Sequence, residues 1–331
     1  MKMDKETLHD YIATNHGNIC GVEAMRNNST LYSDYWHGFK PTDTLHVMSV
    51  TKSVVSLLIG IALDQGLVHD INQPVLDFFP DYTIKRGEKT IQHVTLKHLL
   101  TMTAPYKYRH EPWTRVCTSG DWTKAALDLL GGKARITGEF KYSTLGIHIL
   151  TGIITKTSSM KTVDFANRYL FEPLGIPTYS TFEAMTAEEH KEFIMSKQPK
   201  KNIWFTDPQG VSTAGYGLCL SARDMAKLGQ LCLDGGVYNG KRVVSLQWVK
   251  ASTKPHIQCN ELFANMSYGY LWWIPDKEKS AYAAIGDGGN VIYINPERST
   301  VVAVNSTFKP RIFDRVQFIQ EYIEPMLDDC E

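Results

Sequence analysis

The chain has no C-x-x-C pair, no excess of either charge and no apolar run long enough to cross a bilayer. Its six cysteines, at 20, 117, 219, 232, 259 and 330, are scattered and read as buried or incidental thiols rather than a disulfide framework. Lys+Arg and Asp+Glu each total 35, so the formal net charge is zero. That balance offers no electrostatic argument for nucleic acid or an anionic membrane as partner. The longest apolar stretch, residues 57–63 with one glycine, is far shorter than the roughly 20 residues of a spanning helix. The opening M-K-M-D-K-E-T-L-H-D-Y lacks the apolar centre and cleavage site of a secretory signal, so a soluble, cytoplasmic chain is expected. His110–Glu111 fails the zinc-protease pattern at Thr114, and G-x-S-x-G, P-loop and G-x-G-x-x-G motifs are missing. Nothing points to a metal or an organic cofactor.

What is present is a chain of 331 residues, 43% hydrophobic, able to bury a large core in more than one lobe. Ser-x-x-Lys occurs three times, at Ser49–Lys52, Ser158–Lys161 and Ser306–Lys309. Context separates them. Ser158 has no apolar helix launched behind it, and Ser306 ends a strand-like run and is soon followed by Pro310, which a helix interior would not tolerate. Ser49 alone follows an extended segment and opens a long apolar helix. Positions i and i+3 share a helix face, so the Ser49 hydroxyl and Lys52 amine can sit side by side. The free N–H groups and positive dipole end of the first turn favour an oxyanion there. Such an arrangement can activate a serine without histidine.

Along the chain, the pattern runs from strands to a long helical middle and back to strands. Residues 19–25 and 30–36 flank Asn27–Asn28 as a hairpin. Helical spacing marks residues 94–102, 145–155, 163–170, 221–234 and 245–252, with Ser221 and Asp224 as an S-x-x-D helix start. Strand patterns return at 267–274, 282–285, 291–294 and 300–304, and an amphipathic helix is expected over 313–327. Strands from both ends must share one sheet. The expected architecture is an α/β lobe, residues 1–45 and 262–331, with a mainly helical lobe, 46–261, inserted as one interlocked unit. The cleft between lobes is where a site is expected.

The order S-V-T-K at 49–52, K-Y-S-T at 141–144 and G-D-G-G at 286–289 resembles the three active-site motifs of the serine β-lactamase and penicillin-binding-protein superfamily. The stretches H-L-L-T-M-T, F-E-P-L-G-I, D-P-Q-G-V, L-S-A-R-D-M-A-K-L-G and Y-G-Y-L-W-W, collinear over residues 45–305, resemble the class C β-lactamase-like serine hydrolases. That group contains carboxylesterases and 6-aminohexanoate-dimer hydrolases. The resemblance implies a β-lactamase-like two-lobed fold, an antiparallel sheet flanked by helices from both termini with a helical lobe inserted. It further implies Ser49 as acylated nucleophile, Lys52 as general base and Tyr142 as proton relay to the leaving group. The implied oxyanion hole is the backbone N–H of Ser49 and of Asn290, with Gly288 and Gly289 letting the strand approach a substrate closely.

Two departures bear on substrate. Lactamases and D-alanyl peptidases usually carry Lys or His where the third motif here has Asp287, and the second motif ends in Thr144 rather than Asn. Both changes favour a small neutral or cationic ester or amide over a penicillin. Tyr106, Tyr108, Trp113 and Trp122, and Trp204 with Phe205, are expected as cleft walls only as a group; for each singly, core packing is the favoured explanation.

Overall fold

The computed structural model describes residues 3–328 apart from 134, 185, 311 and 313. Residue 313, the expected start of the closing helix, and Cys330 lie outside the described residues. Eight strands form one antiparallel sheet. In spatial order they are Ser29–Tyr35, Ile19–Arg26, Thr300–Ser306, Asn290–Asn295, Tyr282–Gly286, Trp273–Ile274, Ser267–Tyr268 and Ile257–Gln258. The N-terminal hairpin turns at Asn27 and Asn28, with φ of 50° and 65°, the left-handed values that asparagine tolerates in a two-residue turn. The expected strand 267–274 is two short strands, because Leu271 at φ 63° reverses the chain between them.

Alternation along the strands divides the core into two layers. Val291, Tyr293, Val302 and Val304 face Leu8 and Ile12 of the helix Lys5–Asn15 and Phe318, Ile319 and Ile323 of the C-terminal helical segment. Ile292, Ile294, Val301 and Ala303 face the larger inner layer. There the helix Ala222–Leu233, capped by the Ser221 side chain on Asp224 N, lies so close that a Cβ on Gly229 would sit 2.5 Å from Val301. This helix and Ile257–Gln258 therefore belong with the sheet, although both fall inside the 46–261 segment expected to be the helical lobe.

The helix Val50–Asp64 runs through the inner layer. Every residue from Val50 to Ala62 is buried, as expected for a helix apolar on all sides. Trp248 crosses it at Gly60, where a Cβ would be 2.2 Å from the indole, and donates to Ser56 O at 2.9 Å. Among the described residues no helix is long and apolar enough to cross a membrane.

Candidate active site

The strand pair Leu45–His46 and Cys219–Leu220 delivers the chain to Ser49. Met48 turns it with φ 51°, a left-handed conformation that is costly for a side chain of this size and is braced by Thr51 Oγ1 donating to Met48 O at 2.7 Å. Ser49 is the residue flanking the helix start, and its side chain makes no capping bond. The hydroxyl is thus free for Lys52, whose Nζ donates to Ser49 Oγ at 2.8 Å and to Gly215 O at 2.8 Å. Lys52 is 1% exposed. Burial pushes its amine from 10.5 down to about 7, while the carboxylates of Glu111 and Asp287 act in the opposite sense. A neutral amine beside a serine hydroxyl is therefore populated near neutrality.

The Gly215 carbonyl is itself held by a clamp that the sequence did not suggest. His148 Nδ1 accepts from Ala214 N at 3.2 Å, and His46 Nε2 accepts from Gly217 N at 2.7 Å. Burial, with lesser help from nearby cationic groups, pushes both imidazoles down to about 3, so each stays neutral and keeps its accepting nitrogen. Gly215 also carries the second motif on its other side, since a Cβ there would meet Thr144 O at 2.4 Å.

Tyr142, half-buried, lies with its ring centroid 4.7 Å from Lys52 Nζ. Burial raises its phenol well above the ordinary value; the hydrogen bond with Ser49 opposes this, and Asp287 and Glu111 add to it. Glu111, noted in the sequence only where the zinc pattern fails, organises this motif. One of its carboxylate oxygens accepts from Thr144 N at 2.7 Å, Leu145 N at 2.9 Å, Ser143 Oγ at 3.0 Å and Tyr108 OH at 3.1 Å. No spacing rule links residue 111 to 144.

The third motif meets Ser49 through its first glycine rather than through Gly288 or Gly289. A Cβ on Gly286 would lie 2.4 Å from Val47 O and 3.0 Å from Ser49 N, so this glycine abuts the Ser49 backbone. Gly288 and Gly289 instead back onto Thr307 O and the Arg315 side chain. Asn290 is fully buried in the next strand, pairs with Gly286, donates to Asp287 O at 2.9 Å and accepts from Ser306 N at 2.9 Å. Gly286 is thus the residue of this motif in direct contact with the Ser49 backbone, and the turn 287–289 leads from it to Asn290. Asp287 is exposed, within electrostatic reach of Lys52 and Tyr142.

The expected aromatic walls divide. Trp122, Trp204 and Phe205 are core residues, at most 1% exposed. Trp113 is half-buried against Tyr216, ring centroids 4.7 Å apart. Tyr106 and Tyr108 stack on each other and border a cavity of about 560 Å³ with Lys85, Arg86 and Lys133. Tyr106 also fills the space at Gly146, where a Cβ would be 2.1 Å from its ring. The aromatic surface beside Tyr142 comes from elsewhere: Phe263 and Trp273 lie 5.4 and 5.8 Å from its ring. Among the described residues no His, Cys, Asp and Glu group is arranged to hold a metal.

Fold and site together define a serine hydrolase of β-lactamase fold. More particularly, the chain belongs to the beta-lactamase family, whose family model, described as Beta-lactamase, matches residues 17–318. It is 26% identical over 306 residues to the 6-aminohexanoate-dimer hydrolase of Paenarthrobacter ureafaciens, covering 86% of this chain and 71% of that protein. In structure it is similar to the octameric penicillin-binding protein homologue from Pyrococcus abyssi, with TM-score 0.73, 20% identity and 96% and 77% of the two chains covered. It is also similar to the class C beta lactamase from Rhodobacter sphaeroides, with TM-score 0.68, 17% identity and 97% and 99% covered. At these identities the structural matches speak for the fold alone.

Proposed function

We propose that the protein hydrolyses a small neutral or cationic ester or amide through a covalent acyl-enzyme on Ser49. The observation that carries this reading is the buried Lys52 amine, 2.8 Å from Ser49 Oγ and lowered to about 7. In the first step Ser49 Oγ passes its proton to neutral Lys52 Nζ and bonds to the acyl carbon. The bond from that carbon to the leaving oxygen or nitrogen breaks, and the proton reaches the departing atom through Tyr142. Water then attacks the acyl carbon by the same relay, releasing the acid and restoring the Ser49 hydroxyl. The Ser49 N–H at the helix mouth is one oxyanion donor. The second donor would be a backbone N–H of the turn that follows Gly286, the glycine that abuts Ser49, and runs to Asn290. The exposed Asp287 carboxylate opposes an anionic substrate by like-charge repulsion.

The test is intact-protein mass spectrometry after a serine-reactive phosphonate, paired with rates on a short-chain p-nitrophenyl ester and a chromogenic cephalosporin. An adduct on Ser49 with ester turnover well above cephalosporin turnover is expected. Cephalosporin rates matching the ester would turn the reading to a β-lactamase or D,D-peptidase. A folded protein with no adduct would turn it to a catalytically silent ligand- or partner-binding member.

A further inference from the structure

The turn that follows the strand Ile257–Gln258 presents a large apolar side chain to solvent, next in the chain to the Phe263 ring that meets Tyr142. Leu262 is 79% exposed, yet its backbone is firmly held. Asn260 Oδ1 accepts from Leu262 N at 3.2 Å, Asn260 O accepts from Asn265 N at 3.2 Å, and Phe263 O accepts from Met266 N at 3.1 Å. Ala264 and Asn265 both take left-handed φ, 52° and 53°, which closes the turn and holds Leu262 outward. Left-handed alanine persists where surrounding bonds over-determine it.

Phe263, the next residue, turns inward. Its ring lies 5.4 Å from Tyr142, 5.4 Å from Phe140 and 5.4 Å from Trp273, on which it stacks. Trp273 and Tyr268 beneath are 5% and 0% exposed and form a rigid base, whereas Phe263, Phe140 and Tyr142 stay half-exposed. An apolar shelf is thus formed by the Tyr142, Phe140 and Phe263 rings, with the exposed Leu262 adjoining Phe263 in the chain.

We propose that this shelf seats the leaving group of the substrate, and that this group is an uncharged apolar alcohol or amine. The inference rests on the acyl-enzyme reading above and refines its substrate class. Direction decides between the two halves of a substrate. The acyl carbon is held at Ser49, against the Gly286 turn, while the departing atom takes its proton from Tyr142. A group leaving on the Tyr142 side meets Phe263 next, and a longer one extends towards the turn that carries Leu262. Tyr142 joins the two roles, its hydroxyl serving the chemistry and its ring edge beginning the shelf.

The leaving group enters only the acylation step, so kcat/KM across acetates of different alcohols isolates its binding. In the wild-type protein, kcat/KM is expected to rise about tenfold or more from methyl to butyl to benzyl acetate, as apolar area reaches the shelf. Leu262→Asp, a change at an exposed position, should cut the benzyl-to-methyl ratio to within about threefold of unity, and Phe263→Leu should lower it by a smaller factor. A flat acetate series in a protein that still forms the Ser49 phosphonate adduct would overturn the shelf and leave the hydrolase reading standing. So would a Leu262→Asp effect that follows acyl length in methyl esters rather than alcohol size. Absence of both adduct and methyl acetate turnover would overturn the hydrolase reading and the shelf with it.

Discussion

Replacing Lys52 with methionine should stabilise this protein at neutral pH while abolishing its activity. The folded state holds the amine near 7 against 10.5 when exposed, so between those values the unfolded chain binds more protons than the folded one. The sign follows directly: the penalty is fully present below the folded value and is relieved as pH climbs towards the unfolded one. Integrated, Lys52 costs about 5 kcal/mol of stability at pH 6, about 2 kcal/mol at pH 9, and almost nothing above about 10.5. Methionine matches its length and buries without a charge. Against this gain, Gly215 O loses its donor, a loss of ~1–3 kcal/mol. Lys52→Met should therefore be more stable than wild type by about 2–4 kcal/mol at pH 6 and equal or slightly weaker at pH 10. The assay is thermal or urea unfolding of both proteins at pH 6, 8 and 10. A stability difference that fails to shrink as pH rises would refute the placement of an amine titrating near 7. The same group should appear in wild-type kcat/KM as an acid limb with a midpoint near 7, since only neutral Lys52 accepts the Ser49 proton.

Other substitutions test the remaining contacts. Ser49→Ala should eliminate phosphonate labelling and leave the fold intact, at a cost of about 1 kcal/mol because Lys52 Nζ loses an acceptor. Gly286→Ala should suppress acylation severely, as its Cβ would press on the Val47 and Ser49 backbone; mass spectrometry of the labelled protein and its circular dichroism separate lost chemistry from lost fold. Glu111→Gln retains an acceptor oxygen and should lose about tenfold in kcat/KM, whereas Glu111→Ala orphans buried donors of the second motif and should lose about a hundredfold or more; equal losses would contradict its positioning role. His148→Phe should move the acid limb of kcat/KM by loosening Gly215 and Lys52, while His148→Asn, which can still accept from Ala214 N, should restore part of the wild-type profile.

Much of this molecule is written locally. Asn27–Asn28 specify the first hairpin because asparagine accepts the two left-handed positions the turn requires. Ser221 and Ser245 start their helices as caps, visible as serines before apolar periodicity. Ser49 and Lys52 were legible because three residues on a helix make neighbours, and Tyr142 because a motif carried it. The aromatics were less legible: composition marks a tryptophan as large and apolar, and only burial places Trp122 and Trp204 in the core, the explanation favoured for each singly.

The sequence by itself determined most strand and helix periods, the shared antiparallel sheet, and the closeness of Ser49 to Lys52. Tertiary structure decided everything that tunes them. Lys52 meets Gly215 across 163 residues, His46 meets Gly217 across 171, and Glu111 meets Thr144 across 33. The run G-D-G-G fits its spacing in either register, and only the pairing of Gly286 with Asn290 and its press against Ser49 N fix which glycine touches the nucleophile. Periodicity records what a residue does with neighbours one to four places away. Contacts made by packing distant segments leave no period behind, and the lowered amine, the neutral histidines and the apolar shelf all arise from such packing.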